Sequence, residues 1–570
     1  MKRFFPAMLL VILAFFPAGQ VRVRTYCNPV NINYRFQPTS GISYREAADP
    51  VIRIYRNKYL LLASHSGGYW TSDDLMNWDF IPISSLPIED YAPDIITISD
   101  TTYYAASSWI KKPMYWTTDP FKDNWRPMEK TLPFPVWDPA FLKDDDGKIY
   151  LYWGCSDQES QPIRVVQLDR KMQPLSAPDT LIRHNPGLYG WENPGEMNQV
   201  VKNGYNEGAW MTKFNKRYYL QYASPGTEFK TYADGVYTSD SPRGPFRYET
   251  YSPFSYKPGG FIGGAGHSST FCDKYGNWWH IATMSISVRH MFERRLGLFP
   301  SYFDKDGVLR TLTAFGDYPA RVADHKIDFQ KEDPFTGWML LSYKKKVSAS
   351  SSLDKFPPEY AADENVRTWW SAATGNQGEW FSMDLGDKCT VNAVQVNFAD
   401  NDAVLNDKST GLFYCYRVLS SEDGKTWKII IDKSTNNRDA CHDYTELDEP
   451  ARARFIKVEN GKVPGGKFSM YDLRIFGSRQ GSLPTEVRSF KVIRKKEDSR
   501  RATVIWKHDP AATGHIVNFG TDSQKLYSSV MVYDSDSLRL TGLNRDAEYY
   551  YSVDSFNECG IKKGTQKVKN

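Results

Sequence analysis

Apolar stripes of helical period are scarce in this chain. Short runs of alternating Tyr, Val, Ile and Trp, bounded by Asp, Asn and Gly, dominate instead. That alternation is the signature of half-buried strands, so the pattern predicts an all-β protein. From residue 49 to about 320 one phrase recurs: a polar residue, a strand, a tight turn, an aromatic strand, then further strands. Asp49-Pro50 leads into VIRIYRNKYLLLAS, Pro93-Asp94 into IITISDTTYYAASS, and Asp138-Pro139 into AFLKDDDGKIYLYWG. Glu207-Gly208 leads into AWMTKFNKRYYLQYAS, and Gly266-His267 into SSTFCDKYGNWWHIATM.

Five units of about four strands each predict a five-bladed β-propeller over 27–325. The first strand of each blade lines a central channel, so residues at the entrances of those strands converge on one end of the axis. A single Asp-Pro is an ordinary turn starter. Carboxylates recurring in several repeats, with a Glu and a His in the others, are different. Gathering like charges round one axis is costly, and the arrangement points to chemistry.

Beyond residue 345 the pattern changes. Residues 345–478 carry short alternating strands with turn-rich joints, as in a jelly-roll β-sandwich. Gln480–Pro484 reads as a hinge. Residues 484–566 predict an immunoglobulin-like β-sandwich, with Trp506 as a core anchor and Leu543 followed by Tyr549 as a tyrosine corner.

Composition narrows the function. With 570 residues the chain needs several cores, and a net charge of +4 gives no case for nucleic acid. Aromatic residues make up 15% of it, which suits strands and also stacking on sugar faces. Lys2 and Arg3 precede an apolar run from Met8 to Phe16 and the small residues Ala18 and Gly19, as in a cleaved secretory signal peptide over 1–19. A secreted or periplasmic protein with no membrane span is expected. Seven widely spaced cysteines form no disulfide framework, although Cys389, Cys415 and Cys441 lie in one region that allows a single bridge.

At the residues already quoted the chain resembles glycoside hydrolase family 43. Its motifs are matched in order by AADP to Asp49, YAPD to Asp94, WDPAFLKDDDG from Asp138, NEGAW at Glu207, GAGH to His267 and ERRLGLFP with Arg294. Tyr91 stands where Trp is usual, Trp137 where a small apolar residue is usual, and Ala209 where Pro is common. The resemblance implies Asp49 as general base, Glu207 as general acid and Asp138 as the residue that orients Glu207 and raises its pKa. It implies substrate contacts from Asp94, Tyr91, Trp137, His267 and Arg294, with a cation near His267. It also implies inversion, with carboxyl groups roughly 6.5–9.5 Å apart to admit water, and no cofactor for the chemistry itself.

Residues 345–478 resemble a discoidin-like (factor V/VIII C-type) carbohydrate-binding domain. This implies a structural calcium held by Asp363, Asn365, Thr368 and Asp472, and Trp369 or Trp370 on an exposed loop. Residues 484–566 resemble fibronectin type III and are expected to act as a spacer. The insertion GLYGWENPGEMNQ is expected to close one side of the site. The expected activity is that of a monomeric exo-glycosidase on plant polysaccharide or oligosaccharide, foremost an α-L-arabinofuranosidase. β-D-Xylosidase and β-D-galactofuranosidase are the alternatives within the family. A non-catalytic glycan-binding protein is the alternative of another class.

Overall fold

The computed structural model describes residues 24–37, 43–88, 90–405, 411–507 and 509–570. The expected leader, 1–19, lies outside them. Among the described residues no helix is long and apolar enough to cross a membrane.

Five four-stranded antiparallel sheets follow one another along the chain, each built from consecutive strands. Their first strands are Val51–Tyr55, Asp94–Ile98, Ala140–Lys143, Glu207–Phe214 and Gly263–Cys272. These pack against one another round the axis. The second strands read as unbroken apolar runs because each is covered on both faces by neighbouring blades. Tyr59, Leu60, Leu61 and Leu62 are all buried, as is every residue of Ile149–Trp153. Each such side chain contributes roughly 1.5–3 kcal/mol of burial. The hairpins are set by their turn residues. Arg56 (φ 45°) and Asn57 (φ 64°) form a two-residue turn with both φ positive, and Asn215 (φ 47°) and Lys216 (φ 66°) repeat it in the fourth blade.

The ring is not closed by exchange of a strand within a blade. Arg24–Tyr26 instead pairs with Ala320–Val322, just beyond the fifth blade.

Met339–Leu340 already belongs to the next sheet, pairing with Ser469–Ser478. That eight-stranded sheet is dominated by Trp380–Phe398 and His442–Lys462, whose register breaks between Asp384 and Cys389 and again between Val391 and Ala393. Such bulges bend strands, and here they let one sheet curl round its own core. The last part has a three-stranded sheet, Phe490–Arg494, Ala502–Trp506 and Ser537–Leu540, and a five-stranded one centred on Gly514–Gly520 and Tyr550–Asn557. Trp506 is buried in it, and Asn544 N donates to the Tyr549 hydroxyl at 3.0 Å, which forms the expected corner.

Three expectations need correction. None of the seven cysteines is in a disulfide, so the bridge allowed among Cys389, Cys415 and Cys441 does not form. The last part is not a loose spacer, because it is docked on the propeller. Gly190 N donates to Leu543 O (3.0 Å), Arg545 N to Leu188 O (2.6 Å), and the Tyr248 hydroxyl to Asn544 Oδ1 (2.9 Å). Trp369 and Trp370 are not exposed. Trp370 is fully buried, and Trp369 lies between Phe356 and the guanidinium of Arg289.

Candidate active site

Each first strand begins with a sharp turn that aims one side chain at the axis. Asp49 and Asp138 (both φ 54°) and His267 (φ 44°) occupy the left-handed region, which is strained for residues other than glycine. The strain is held by a relay of hydroxyls from the preceding blade. Asp49 N donates to Thr283 Oγ1 (2.8 Å), Ala92 N to Ser64 Oγ (2.8 Å) and Asp138 N to Ser107 Oγ (2.8 Å). His267 N donates to Asp234 Oδ1 at 2.9 Å. Two of the hydroxyls also serve the carboxylates, Ser64 donating to Asp49 Oδ2 (2.6 Å) and Ser107 to Asp138 Oδ1 (3.2 Å).

Ala92, with φ 47° and a following proline, is therefore the second blade's counterpart of Asp49 and Asp138. Asp94, two residues on, has another job. Both of its oxygens take Arg53 (3.0 and 2.7 Å), and Oδ2 also accepts Phe141 N at 2.8 Å. It is fully buried and does not line the cavity.

That cavity, of ≈ 470 Å³, is lined from all five blades. Asp49, Asp138, Glu207 and His267 form its floor, with Arg294 beside Asp49. Tyr91 and Trp137 stand in its wall as the sequence suggested. Trp109, which belongs to no recurring motif, stacks on Trp137 at 4.0 Å and is 67% exposed at the rim. The insertion GLYGWENPGEMNQ contributes nothing to the lining. It carries the docked C-terminal sheets instead, and so does not close the site.

The carboxyl groups sit in contrasting surroundings. Burial pushes Asp49 up, but Arg294 (3.1 Å), His267 Nδ1 (3.2 Å) and the Ser64 hydroxyl outweigh it, and the net shift is downward. Glu207 is pushed up to about 7 by burial and by the charge of Asp138. The Glu207, Asp138 and Cys155 donor atoms all lie within 4.8 Å of one another. Tyr232 OH donates to Glu207 Oε1 at 2.5 Å and Cys155 Sγ to Oε2 at 3.0 Å, which partly offsets the rise. Asp138, whose Oδ2 accepts Gly208 N at 3.2 Å, is also raised by burial, against the pull of His267. Burial would lower His267, but Asp49, Asp138, Glu207 and Asp234 overcome that, and the net shift is upward. Gly208 (φ 63°) permits this packing, since a Cβ there would lie 2.7 Å from the His267 ring.

In the C-terminal sandwich, Asp363 accepts from Asn365 N (3.1 Å) and Thr368 Oγ1 (2.7 Å), while Asp472 accepts from Glu364 N at 2.8 Å. Burial raises Asp363 to about 6. Burial, then Glu364 and Asp363, raise Asp472 as well.

Fold and site together define a propeller protein with a pocket of buried carboxylates and ring walls. Residues 39–309 match the family described as glycosyl hydrolases family 43, and residues 346–473 match the F5/8 type C domain. The chain thus carries a family 43 glycosyl hydrolase domain followed by an F5/8 type C domain. A β-xylosidase of Xylanibacter ruminicola is 30% identical over 131 residues, 20% of this chain and 39% of that protein. A β-D-galactofuranosidase of Aspergillus niger is 30% identical over 109 residues, 19% of this chain and 26% of that one. The chain thus matches well under half the length of either relative. A solved glycoside hydrolase is 19% identical, with 79% of this chain and 100% of that one covered and a TM-score of 0.44.

Proposed function

We propose that the protein is an exported, inverting, exo-acting glycoside hydrolase that removes a terminal sugar from plant polysaccharide or its fragments. The observation that carries this is the split between two carboxyl groups in one pocket, Asp49 held low and Glu207 raised to about 7. Glycoside cleavage by inversion needs one carboxyl group ionised and one protonated at the same pH. Asp49 is the base that takes a proton from water, and the Arg294 guanidinium keeps it ionised. Glu207 gives its proton to the leaving oxygen, and the neighbouring charge of Asp138 keeps that proton in place near neutrality. Arg294 and His267 act through Asp49 and Asp138, while Tyr91, Trp137 and Trp109 offer ring faces to the sugar. A pocket of ≈ 470 Å³ walled by Tyr91, Trp137 and Phe292 suits one terminal residue better than the middle of a chain. α-L-Arabinofuranose is the proposed sugar. β-D-Xylose and β-D-galactofuranose, which the two relatives' names carry, are the alternatives.

Asp363 and Asp472, with Asn365 and Thr368, fit a structural calcium. Burial raises both carboxyl groups, and Asp363 adds to the rise of Asp472; a hard cation with oxygen ligands would relieve both. A cation beside His267 fits less well, because Nδ1 already faces Asp49 and Asp138 at 3.2 and 3.8 Å.

The test is hydrolysis of the three nitrophenyl glycosides, with the first-formed anomer read by NMR. Asp49→Asn and Glu207→Gln should each lose about 10²–10⁴-fold in turnover while melting near the wild-type temperature. Near-normal activity in either variant, or retention of the anomer, would overturn the assignment.

A further inference from the structure

Successive residues of an extended strand face opposite ways. Two stretches beside the pocket use this to face the site and the F5/8 type C sandwich at once. In the hairpin strand Arg45–Glu46, Glu46 accepts from Nε (3.0 Å) and Nη2 of Arg294, the residue that pairs with Asp49. Its neighbour Arg45 points into the sandwich, donating from Nε to Asp400 (2.8 Å) and from Nη1 to Asp439 (2.6 Å). In the segment 293–295, Arg294 faces the site and both neighbours face the sandwich. Glu293 accepts from the Tyr471 hydroxyl at 2.8 Å, and Arg295 Nε donates to His442 Nε2 at 2.8 Å. Arg295 also donates to Arg45 O at 2.7 Å, which joins the two stretches. The loop before them is held likewise. Arg289 donates to Tyr471 OH (2.7 Å), Glu293 (2.8 Å) and Ala399 O, and that loop carries Phe292 into the cavity wall.

We propose that the F5/8 type C sandwich is a positioning element of the active site, holding the Glu46–Arg294 pair against Asp49 through Tyr471, His442, Asp400 and Asp439. Glu46, Glu293, Arg294, Arg295 and Arg45 are each at most 3% exposed. Replacing such buried ion pairs by apolar packing would cost little stability. Their use here fixes the geometry of a strand that has a catalytic carboxylate at its other face. Residues Asp400, Asp439, His442 and Tyr471 therefore act on the base at one remove, and none of them touches the cavity.

The proposal rests on the reading of Asp49 as base, and its test separates the two. The charged and titratable groups facing Asp49 are Arg294, His267, His65 and Asp138, with the Tyr91 and Tyr232 phenols and the Cys155 thiol. If Arg294 drifts, Asp49 loses the largest of its stabilising charges and its pKa rises, so the acidic limb of kcat/KM moves to higher pH. Full-length Tyr471→Phe and Arg289→Ala are compared with Arg417→Ala, which removes only the exposed sandwich pair Arg417–Asp432. The first two should lose about tenfold or more in kcat on an aryl glycoside and shift the acidic limb upward by about half a unit or more. Amide exchange across 286–295 should quicken in both, and Arg417→Ala should match the wild type in all three measures. An acidic limb and an exchange pattern unchanged in both variants would overturn the proposal. Exchange needs no turnover, so a wild type inactive on every glycoside would sink the hydrolase reading alone.

Discussion

The thiol of Cys155 donates a hydrogen bond to Oε2 of Glu207 at 3.0 Å, opposite the Tyr232 hydroxyl on Oε1. Both donors favour the ionised form of a carboxyl group that burial and Asp138 push the other way. The pKa of about 7 is a balance, and it can be moved from either side.

Removing a donor should move it up. Tyr232→Phe and Cys155→Ala each take away a hydrogen bond that stabilises the carboxylate. The alkaline limb of the kcat/KM profile should move to higher pH in both, by about half a unit to one unit. A downward shift in either would mean that the thiol or the phenol acts on some other group.

Removing the negative neighbour should move it down. Asp138→Asn lowers the cost of ionising Glu207, so the acid loses its proton at lower pH. The alkaline limb should shift to lower pH and the maximal rate should fall, as pH-rate profiles on an aryl glycoside will show.

Glu192 offers a stability test away from the chemistry. Burial raises it from 4.5 to about 8, although Tyr222 OH (2.5 Å) and Asn185 N donate to it. An acid raised in the folded state favours folding most below its unfolded pKa. The contribution is lost as pH rises from about 4.5 towards 8. Glu192→Gln, neutral throughout, should raise Tm at pH 8.5, by on the order of a few kcal/mol of stability, and leave it nearly unchanged at pH 4. Melting curves across that range decide it.

Calcium should stabilise the sandwich. If Asp363 and Asp472 hold a cation, millimolar calcium should raise Tm by several degrees and a chelator should reverse it. The double variant Asp363→Asn/Asp472→Asn should respond to neither.

The residues that backbone geometry demands were legible in the chain. Asp49, Asp138 and His267 each stand beside Pro or Gly at the start of a strand, in a phrase that recurs along the chain. Asp94 shows the limit of the same signal. A proline with an aspartate beside it marks the blade, but only the backbone shows that Ala92, before the proline, takes the inward position. The hydroxyl relay also left a trace, in Ser64, Ser107 and Thr283 at the ends of second strands. Trp109, Cys155 and Tyr232 left none, since each reaches the site from a loop or strand with no repeat of its own. The docking of the C-terminal parts was illegible for a related reason. Arg45, Glu293 and Arg295 pair with residues more than a hundred positions away, and such pairs obey no period. Hence the packing of 484–566 on the propeller, and of 345–478 against the strands beside the site, was not written in the chain.

The two-stranded clasp between Arg24–Tyr26 and Ala320–Val322 has a practical side. It joins the start of the ring to its end at the same seam where Thr283 Oγ1 receives Asp49 N. A protease that trimmed the chain only a few residues past Arg24 would leave every blade whole and the apparent mass on a gel almost unchanged. It would nonetheless remove the strand that pairs with Ala320–Val322, so a protein that looks intact by size would have lost the latch of its ring.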